Sequence, residues 1–284
     1  MRAVRVCVPG SSANLGPGFD VLAAALDLKL TVEVCETGEF RLLTDLRLRR
    51  DRNNLIVRAF ERLLPADRFE FRVSSAIPLS GGMGSSAAGV VAGLLAADHL
   101  AGGGADLLAL ATAIEGHPDN VAASLLGGLV ICDGTDVRRL EMPAELEAIL
   151  VIPRQPVRTA AAREALPAQV PLGDAVRNLA QIAKLSAGLA TGDWELISGG
   201  LDDRLHQPHR AHLYPRSAAI VTRAAEHGAL GATISGAGPA VMIWCRRGDD
   251  RAALMRWLQS VSEGWADVRP VQFEASGASV SELA

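Results

Sequence analysis

Apolar residues recur along this chain with two spacings, which divide it into alternating candidate strands and helices. Alternation of apolar and polar residues predicts a strand, and apolar residues three or four positions apart predict a helix. The first spacing predicts strands over residues 2–8, 28–36, 69–74, 127–132, 148–152 and 268–273, with a strand–turn–strand unit over 231–243. The second predicts helices over residues 54–64, 87–97, 106–115, 176–190, 217–227 and 251–261. Turn-forming residues predict a loop over 9–20, and the last residues, 274–284, are expected to fray.

A segment rich in glycine and serine, residues 78–88, joins the strand predicted over 69–74 to a helix of small and apolar residues. Glycine reaches positive φ and lets the backbone approach an anion, and a helix start offers unpaired N–H groups and a partial positive charge. The segment therefore predicts a phosphate-binding loop. A simple turn with a serine as helix cap is the alternative that these residues leave open. No lysine follows Gly84, as the common P-loop requires, and the glycine spacing does not fit a dinucleotide-binding fingerprint.

Four polar residues are crowded between two apolar helical stretches in the middle of the chain. They are Glu115, His117, Asp119 and Asn120, and Pro118 among them ends the preceding helix. Burial of such groups costs free energy unless they bind something. A carboxylate suits Mg²⁺, which prefers oxygen ligands and nucleotide phosphates, so the cluster predicts a magnesium site. A helix junction capped by the aspartate or the asparagine is the alternative.

Composition narrows the classes of function. The chain has 284 residues, 49% of them apolar and 21% charged, which predicts one large or two modest domains with a packed core. A net charge of −4 and few aromatic residues argue against binding of nucleic acid. The apolar runs are too short to span a bilayer, and the N-terminus alternates instead of forming a signal-peptide core. We therefore expect a cytoplasmic protein that binds neither nucleic acid nor membrane.

Several motifs resemble those of the GHMP kinases. Residues 78–87 match the phosphate-loop pattern P-x-x-x-G-[LM]-G-S-S-A at every position, and residues 231–240 match a glycine-rich motif of the family's C-terminal domain. Residues 9–20 resemble P-x-[ST]-x-A-N-L-G-x-G-F-D, the N-terminal motif of the homoserine kinases within this family. The string E-G-H-P-D-N-V-A over residues 115–122 is similar to the same group. The resemblance covers nearly the whole chain.

The resemblance implies an α+β fold of two domains, with the active site in the cleft between them. An N-terminal ATP-binding domain is implied for residues 1–150, and a C-terminal α/β sandwich domain of ferredoxin-like type for residues 151–284. The implied activity is the ATP-dependent phosphorylation of the side-chain hydroxyl of L-homoserine to O-phospho-L-homoserine, in threonine biosynthesis. Mg²⁺ is the implied cofactor, and a homodimer is compatible with the family.

The resemblance also implies roles at the catalytic centre. Glu115, Asp119 and Asn120 are expected there, and Ser86 with Glu115 is expected to hold Mg²⁺. The nucleotide phosphates are expected to lie against Pro78, Leu79, Ser80, Gly81, Gly82, Met83, Gly84, Ser85 and Ser86. The C-terminal glycine motif that supports this loop contains Ser235, Gly236, Ala237 and Gly238.

For the amino-acid substrate, the resemblance implies two arginines. Arg163 and Arg210 are expected to bind its carboxylate, because a planar guanidinium matches a carboxylate with two parallel hydrogen bonds, and Asp20 is expected to accept from its ammonium. The other expected substrate contacts are Asn14, His117 and Thr159. An exposed arginine at a helix start is the alternative for Arg163. His206 and His209, which precede Arg210, fit packing more readily than catalysis.

Two other functions stay open at this level. Another GHMP kinase of small alcohols, such as mevalonate, would not need two arginines and an ammonium acceptor. A module that senses an amino acid or nucleotide without turnover would be expected to have a broken phosphate or metal site, whereas Gly84, Ser85, Ser86 and Glu115 are all present.

Overall fold

The computed structural model describes residues 2–79, 81–248 and 251–283. Its strands are β1 (Ala3–Asn14), β2 (Gly18–Glu36), β3 (Arg41–Leu43), β4 (Phe69–Ser75), β5 (Leu129–Asp133), β6 (Asp136–Leu140), β7 (Leu146–Pro153), β8 (Gly231–Ile234), β9 (Val241–Arg246), β10 (Ala266–Gln272) and β11 (Ser279–Glu282). Its α-helices are α1 (Leu55–Phe60), α2 (Ser85–Ala101), α3 (Leu107–Glu115), α4 (Asp119–Leu126), α5 (Thr159–Glu164), α6 (Leu172–Thr191), α7 (Trp194–Ser198), α8 (Gln207–Arg210), α9 (Pro215–Arg223) and α10 (Ala252–Ser262). Each predicted strand and helix is present, and most ends differ by a few residues, but β1 ends six residues later and β2 begins ten residues earlier than predicted.

The larger sheet is built around the long strands β1 and β2. Its order in the described residues is β11-β1-β2-β4-β3, and β2 also pairs with β5, which pairs with β6. Helices α2 and α4 pack on β1 and β2, and α1 packs against α2. A Cβ atom on Gly93 of α2 would lie 2.2 Å from the carbonyl oxygen of Ile56, so glycine lets α1 approach closely. The packing fixes α2 and therefore the place where its N-terminus points.

The smaller sheet, in the order β10-β7-β9-β8, has two covered faces. Alternate residues of β7 and β9 point to opposite faces, as strand geometry requires. Ala148, Leu150, Met242 and Trp244 join the core that the larger sheet also lines. Ile149, Val151, Val241 and Ile243 join a second core with residues of α9 and α10. The two halves of the molecule therefore share one continuous apolar core.

The prediction of a loop over residues 9–20 is wrong. Strand β1 continues to Asn14 and β2 begins at Gly18, so this segment is the closed end of a β-hairpin. The register shifts at Pro9/Gly10 and again at Ala13/Asn14, which accommodates the turn-forming residues. Burial and backbone pairing outweigh local preference here, and Asn14, Leu15 and Asp20 adopt positive φ values of 70°, 49° and 55°.

The expectation of a frayed C-terminal tail is also wrong. Strand β11 pairs with β1 at the edge of the larger sheet. Before it, Glu274 forms an ion pair with Lys29 at 2.6 Å, and the N–H group of Ala278 donates to the carbonyl oxygen of Leu125 at 3.1 Å. The polar sequence of the tail gives no sign of this strand. An edge strand forms by backbone hydrogen bonds to one neighbouring strand and does not require apolar side chains.

The proposed domain division at residue 150 stays a prediction. Strand β7, Leu146–Pro153, crosses that position and lies wholly in the smaller sheet, whereas β11 returns to the larger one. Across the described part of the chain, no helix combines the length and apolar character needed to cross a membrane.

Candidate active site

A cleft of about 480 Å³ lies where the hairpin, the start of α2 and the smaller sheet's loops meet. Its walls come from both halves of the chain. The predicted residues that line it are Asn14, Asp20, Gly82, Met83, Gly84, Ser85, Ser86, Glu115, His117, Asp119, Asn120, Thr159, Arg163, Arg210, Gly236, Ala237 and Gly238. Most residues that the sequence motifs singled out are therefore brought to one place.

Helix α2 begins in this cleft without a side-chain cap. Its N-cap residue is Gly84, which has φ 65° and lies in the left-handed region, and no described side chain accepts from the first N–H groups of the helix. The alternative of a serine cap is therefore not found. Free N–H groups at the start of a helix of 17 residues attract an anion.

The loop before α2 is held from two sides. The N–H group of Ser11 donates to the carbonyl oxygen of Met83 at 3.2 Å, and the hydroxyl of Ser235 donates to that of Gly82 at 2.7 Å. Ser12 Oγ in turn lies 2.9 Å from Ser235 Oγ, and both side chains are buried. Ser235, in the glycine motif of the second half, thus holds the predicted phosphate loop of the first half.

Five of the residues predicted for the loop and its support lie outside the cleft wall or outside the described structure. Pro78, Leu79 and Gly81 precede the wall, and the Leu79 side chain is 41% exposed. Ser235 lies behind the wall, where it holds the loop through Gly82. Ser80 lies outside the described residues. Contact between these residues and a nucleotide stays a prediction.

Ser86 and Glu115 meet at the mouth of the cleft. Ser86 Oγ donates to Glu115 Oε1 at 2.5 Å, which joins the first turn of α2 to the last residue of α3. Within the described ranges, no lysine or arginine pairs with Glu115, and no group of three or more His, Cys, Asp or Glu side chains gathers as a metal centre. A hydroxyl and an uncompensated carboxylate are oxygen donors of the kind that Mg²⁺ takes together with phosphate oxygens.

The segment from His117 to Asn120 forms a local hydrogen-bond network. Asp119 Oδ1 accepts from the N–H group of Asn120 at 2.7 Å and lies 2.8 Å from His117 Nδ1. This contact raises the pKa of His117 above its usual value. Asn120 Oδ1 accepts from Ser11 Oγ at 2.9 Å, so the Asn120 side chain is oriented by the hairpin.

Arg163 and Asp20 form a two-pronged ion pair across the cleft. Arg163 Nη1 donates to Asp20 Oδ2 at 3.1 Å and Nη2 donates to Oδ1 at 3.0 Å. The pair joins α5 to the hairpin and is more than one-third exposed, so it contributes only about 0–1 kcal/mol to stability. Asn14 supports it, because its Oδ1 accepts from the N–H group of Asp20 at 3.1 Å while its Nδ2 donates to the carbonyl oxygen of Gly236 at 2.8 Å.

Arg210 is a buried arginine beside this ion pair. It is 1% exposed, and desolvation lowers its pKa. Its Nε donates to the carbonyl oxygen of Ala162 at 2.8 Å, and its Nη1 lies 3.2 Å from His206 Nδ1. The Cζ atoms of Arg163 and Arg210 lie 5.8 Å and 5.2 Å from the centroid of the Phe19 ring. One aromatic ring therefore gathers both guanidinium groups.

Comparison with known proteins assigns the chain to a family. Residues 54–128 match the GHMP kinases N terminal domain, and residues 176–262 match the GHMP kinases C terminal domain. A homoserine kinase of Synechococcus sp. (strain RCC307) is 40% identical over 96% of this chain and 95% of its own length. The chain belongs to the homoserine kinases of the GHMP kinase family.

Other members agree with this assignment. A homoserine kinase of Moorella thermoacetica is 40% identical over 85% of this chain and 87% of its own length. The crystal structure of homoserine kinase from Cytophaga hutchinsonii is 30% identical, with a TM-score of 0.87 over 99% of this chain and 98% of that chain. Mevalonate kinase from Methanococcus jannaschii, 17% identical with a TM-score of 0.71, shares the fold alone. The expected two-domain α+β fold of GHMP kinases is confirmed.

Sequence reasoning missed four residues that organise the site of this family member. Ser11 contacts the predicted phosphate loop, Ser12 contacts the Ser235 that holds this loop, Phe19 lies beside both arginines, and His206 contacts Arg210. Three of these lie within the motif over residues 9–20, so the sequence shows which residues they are but not what they contact. Polar or aromatic side chains in a segment that is expected to be buried would have pointed to them.

Ser235→Ala should loosen the phosphate loop. The change leaves the Gly82 carbonyl and the Ser12 hydroxyl without their buried partner, which costs about 1–3 kcal/mol. We expect a lower melting temperature together with a higher KM for ATP. Ser217→Ala is the matched control, because Ser217 Oγ donates to the Pro239 carbonyl at the same 2.7 Å but does not touch the phosphate loop. An equal rise in the KM for ATP in both variants would contradict the role of Ser235 in holding this loop.

Proposed function

We propose that this enzyme transfers the γ-phosphoryl group of ATP to the side-chain hydroxyl of L-homoserine, which yields O-phospho-L-homoserine. The observation that carries the proposal is the grouping of Asp20, Arg163 and Arg210 around Phe19 in the cleft where helix α2 begins without a cap. Its relatives are named homoserine kinases, and kinases of this family use ATP.

The three charged groups complement an α-amino acid. Its carboxylate fits the two guanidinium groups, and its ammonium fits Asp20. Because Arg163 and Asp20 bind each other with two hydrogen bonds, the zwitterion can replace that pair by offering a carboxylate to one partner and an ammonium to the other. The exchanged pair is partly exposed, so its loss costs little, whereas the buried Arg210 supplies a stronger partner.

The opposite wall suits a nucleotide triphosphate. The free N–H groups at the start of α2 would donate to phosphate oxygens, and phosphoryl transfer depends mainly on positioning and charge neutralisation. Ser86 and Glu115 would hold Mg²⁺, which supplies positive charge against the phosphates. Asn120, fixed by Ser11, keeps its side-chain amide hydrogens for the substrate hydroxyl. Asp119 is occupied by two local hydrogen bonds, so its part as a base stays a prediction.

A coupled assay of ADP release tests the proposal. Wild-type enzyme should turn over with L-homoserine well above its rates with L-serine, L-threonine, mevalonate and galactose. Comparable turnover with mevalonate would favour the other small-alcohol kinase function. Binding of homoserine and ATP without ADP release would favour a sensing module.

Glu115→Gln should raise the Mg²⁺ concentration needed for half-maximal activity by roughly tenfold and lower kcat. The variant keeps the shape of the side chain but exchanges a charged oxygen ligand for a neutral one, a difference of about 1.5 kcal/mol. Asp106→Asn, which changes the N-cap of the same helix α3, is the control and should leave the Mg²⁺ titration unchanged. If the Mg²⁺ titration of Glu115→Gln matches that of the wild type, Glu115 does not bind Mg²⁺ and serves only as a hydrogen-bond partner of Ser86.

The product of this reaction places the enzyme in threonine biosynthesis, as the homoserine kinases to which it is similar imply. Two further expectations stay predictions, a cytoplasmic location and a homodimer. Sedimentation of the purified chain decides the last of these.

A further inference from the structure

His206 is a buried histidine whose two ring nitrogens contact different groups. Its Nε2 lies 2.8 Å from the carbonyl oxygen of Gly16, at the tip of the hairpin, and its Nδ1 lies 3.2 Å from Arg210 Nη1. The ring also lies 5.4 Å from the ring of Phe19, centroid to centroid. The side chain is fully buried, so these contacts define its surroundings.

The two contacts are satisfied together by one form of the ring. A carbonyl oxygen only accepts, so Nε2 must carry a hydrogen, and a guanidinium only donates, so Nδ1 must offer its lone pair. The neutral imidazole with hydrogen on Nε2 meets both conditions. Protonation of Nδ1 would turn an N–H group against the Arg210 cation and remove the acceptor.

The position of His206 is itself fixed by Asp203. The Asp203 carboxylate accepts from the N–H groups of Leu205 at 2.8 Å, His206 at 3.1 Å and Gln207 at 2.6 Å. Its Oδ2 also lies 3.4 Å from His206 Nε2. The histidine thus stands on a rigid turn before α8, on the same short segment that carries Arg210.

We propose that His206 is a positioning residue, whose neutral imidazole holds the Arg210 guanidinium in the orientation that the substrate carboxylate requires. The Ala162 carbonyl oxygen accepts from Arg210 Nε, and Phe19 lies against the Arg210 guanidinium. His206 therefore completes the set of groups that fix the plane of this guanidinium. The remaining Nη hydrogens are without a partner among the described residues, and Arg210 lines the cleft. The inference rests on the proposed function, because it assigns Arg210 to the carboxylate of homoserine.

Two substitutions separate this role from simple packing. His206→Asn places an amide oxygen near the Nδ1 position and keeps an acceptor for Arg210, whereas His206→Gln places an amide nitrogen near the Nε2 position and keeps the donor to Gly16. His206→Gln should raise the KM for homoserine by at least about tenfold, with kcat and the KM for ATP changed by less than about twofold. His206→Asn should recover most of the homoserine affinity while its melting temperature falls.

The opposite order of the two variants would overturn the proposal, and so would equal effects on the KM for homoserine. The alcohol analogue homoserinol, which lacks the carboxylate, should show similar KM values with wild type and His206→Gln. Failure of the proposed function is recognised separately, because wild-type enzyme would then release no ADP with homoserine.

A measurement of the protonation state of His206 in the wild-type protein does not depend on activity. Long-range ¹⁵N–¹H spectra of ¹⁵N-histidine-labelled protein report which ring nitrogen carries the hydrogen. The chain has six histidines, and the signals of His206 are those absent from His206→Asn. At neutral pH we expect hydrogen on Nε2 alone. Hydrogen on Nδ1, alone or together with Nε2, would overturn the proposal.

Discussion

Arg210→Lys should raise the KM for homoserine by roughly tenfold to a few hundredfold, because removal of one partner of a buried charge pair costs about 2–5 kcal/mol and lysine recovers part of it. Lysine offers a point charge in place of a planar fork. It also gives up the fixed contacts with Ala162 and His206, which orient the arginine at present. Steady-state kinetics with homoserine varied at saturating ATP measure the effect.

Two controls give this prediction its specificity. Arg204→Lys changes an arginine of the same segment that pairs with Asp202 at the surface, 3.5 Å away, and should leave all constants unchanged. Arg163→Lys should have a smaller effect than Arg210→Lys, since Arg163 is 41% exposed. The KM for homoserinol, which lacks the carboxylate, should hardly change in either active-site variant. A loss of ATP affinity in Arg210→Lys, with homoserine affinity kept, would assign this arginine to the nucleotide.

Gly84→Ala should lower kcat/KM for ATP by roughly a hundredfold, the loss that follows from moving reacting groups by about 1 Å. A Cβ atom there would lie 2.2 Å from Ser11 Oγ and 3.1 Å from Asn120 Oδ1, so the start of α2 has to shift. From the sequence, glycine at this position is expected to serve approach of the backbone to phosphate. The structure adds a nearer reason, because the hairpin already fills that space and folding stability should fall as well.

The loss of stability that comes from placing alanine at a positive φ needs a separate control. Gly102, at the other end of α2, has φ 104°, and a Cβ atom added there by Gly102→Ala would have nothing within 4 Å. This variant therefore carries the strain of positive φ, about 1–3 kcal/mol, without the contact. Melting temperatures and ATP kinetics of both variants should show a shared loss of stability and a loss of activity confined to Gly84→Ala. Similar kinetics in the two variants would refute the steric argument.

The local pattern of apolar and polar residues was sufficient to predict a strand, loop or helix where the residues of that element specify it by themselves. The strand–glycine loop–helix order around Gly84 is present as predicted, because a turn-rich segment between a strand and an apolar helix has few alternatives. Pattern failed over residues 9–20, where the two strands of one hairpin pair across a short turn, and over 274–284, where a strand pairs with the distant β1. Turn formers and polar residues describe local preference, and pairing across the larger sheet overrides it.

The sequence by itself determined which residue types gather at the cleft, since the motifs around Gly84, Glu115, Arg163 and Arg210 all line it. The tertiary structure alone decided their partners. Arg163 binds Asp20 from 143 positions away, Ser235 reaches Gly82 across 153, and His206 contacts Gly16 across 190. Such contacts depend on how two sheets share one core. A hydrogen bond forms only when donor and acceptor are placed within about 3 Å, and no local pattern encodes that placement.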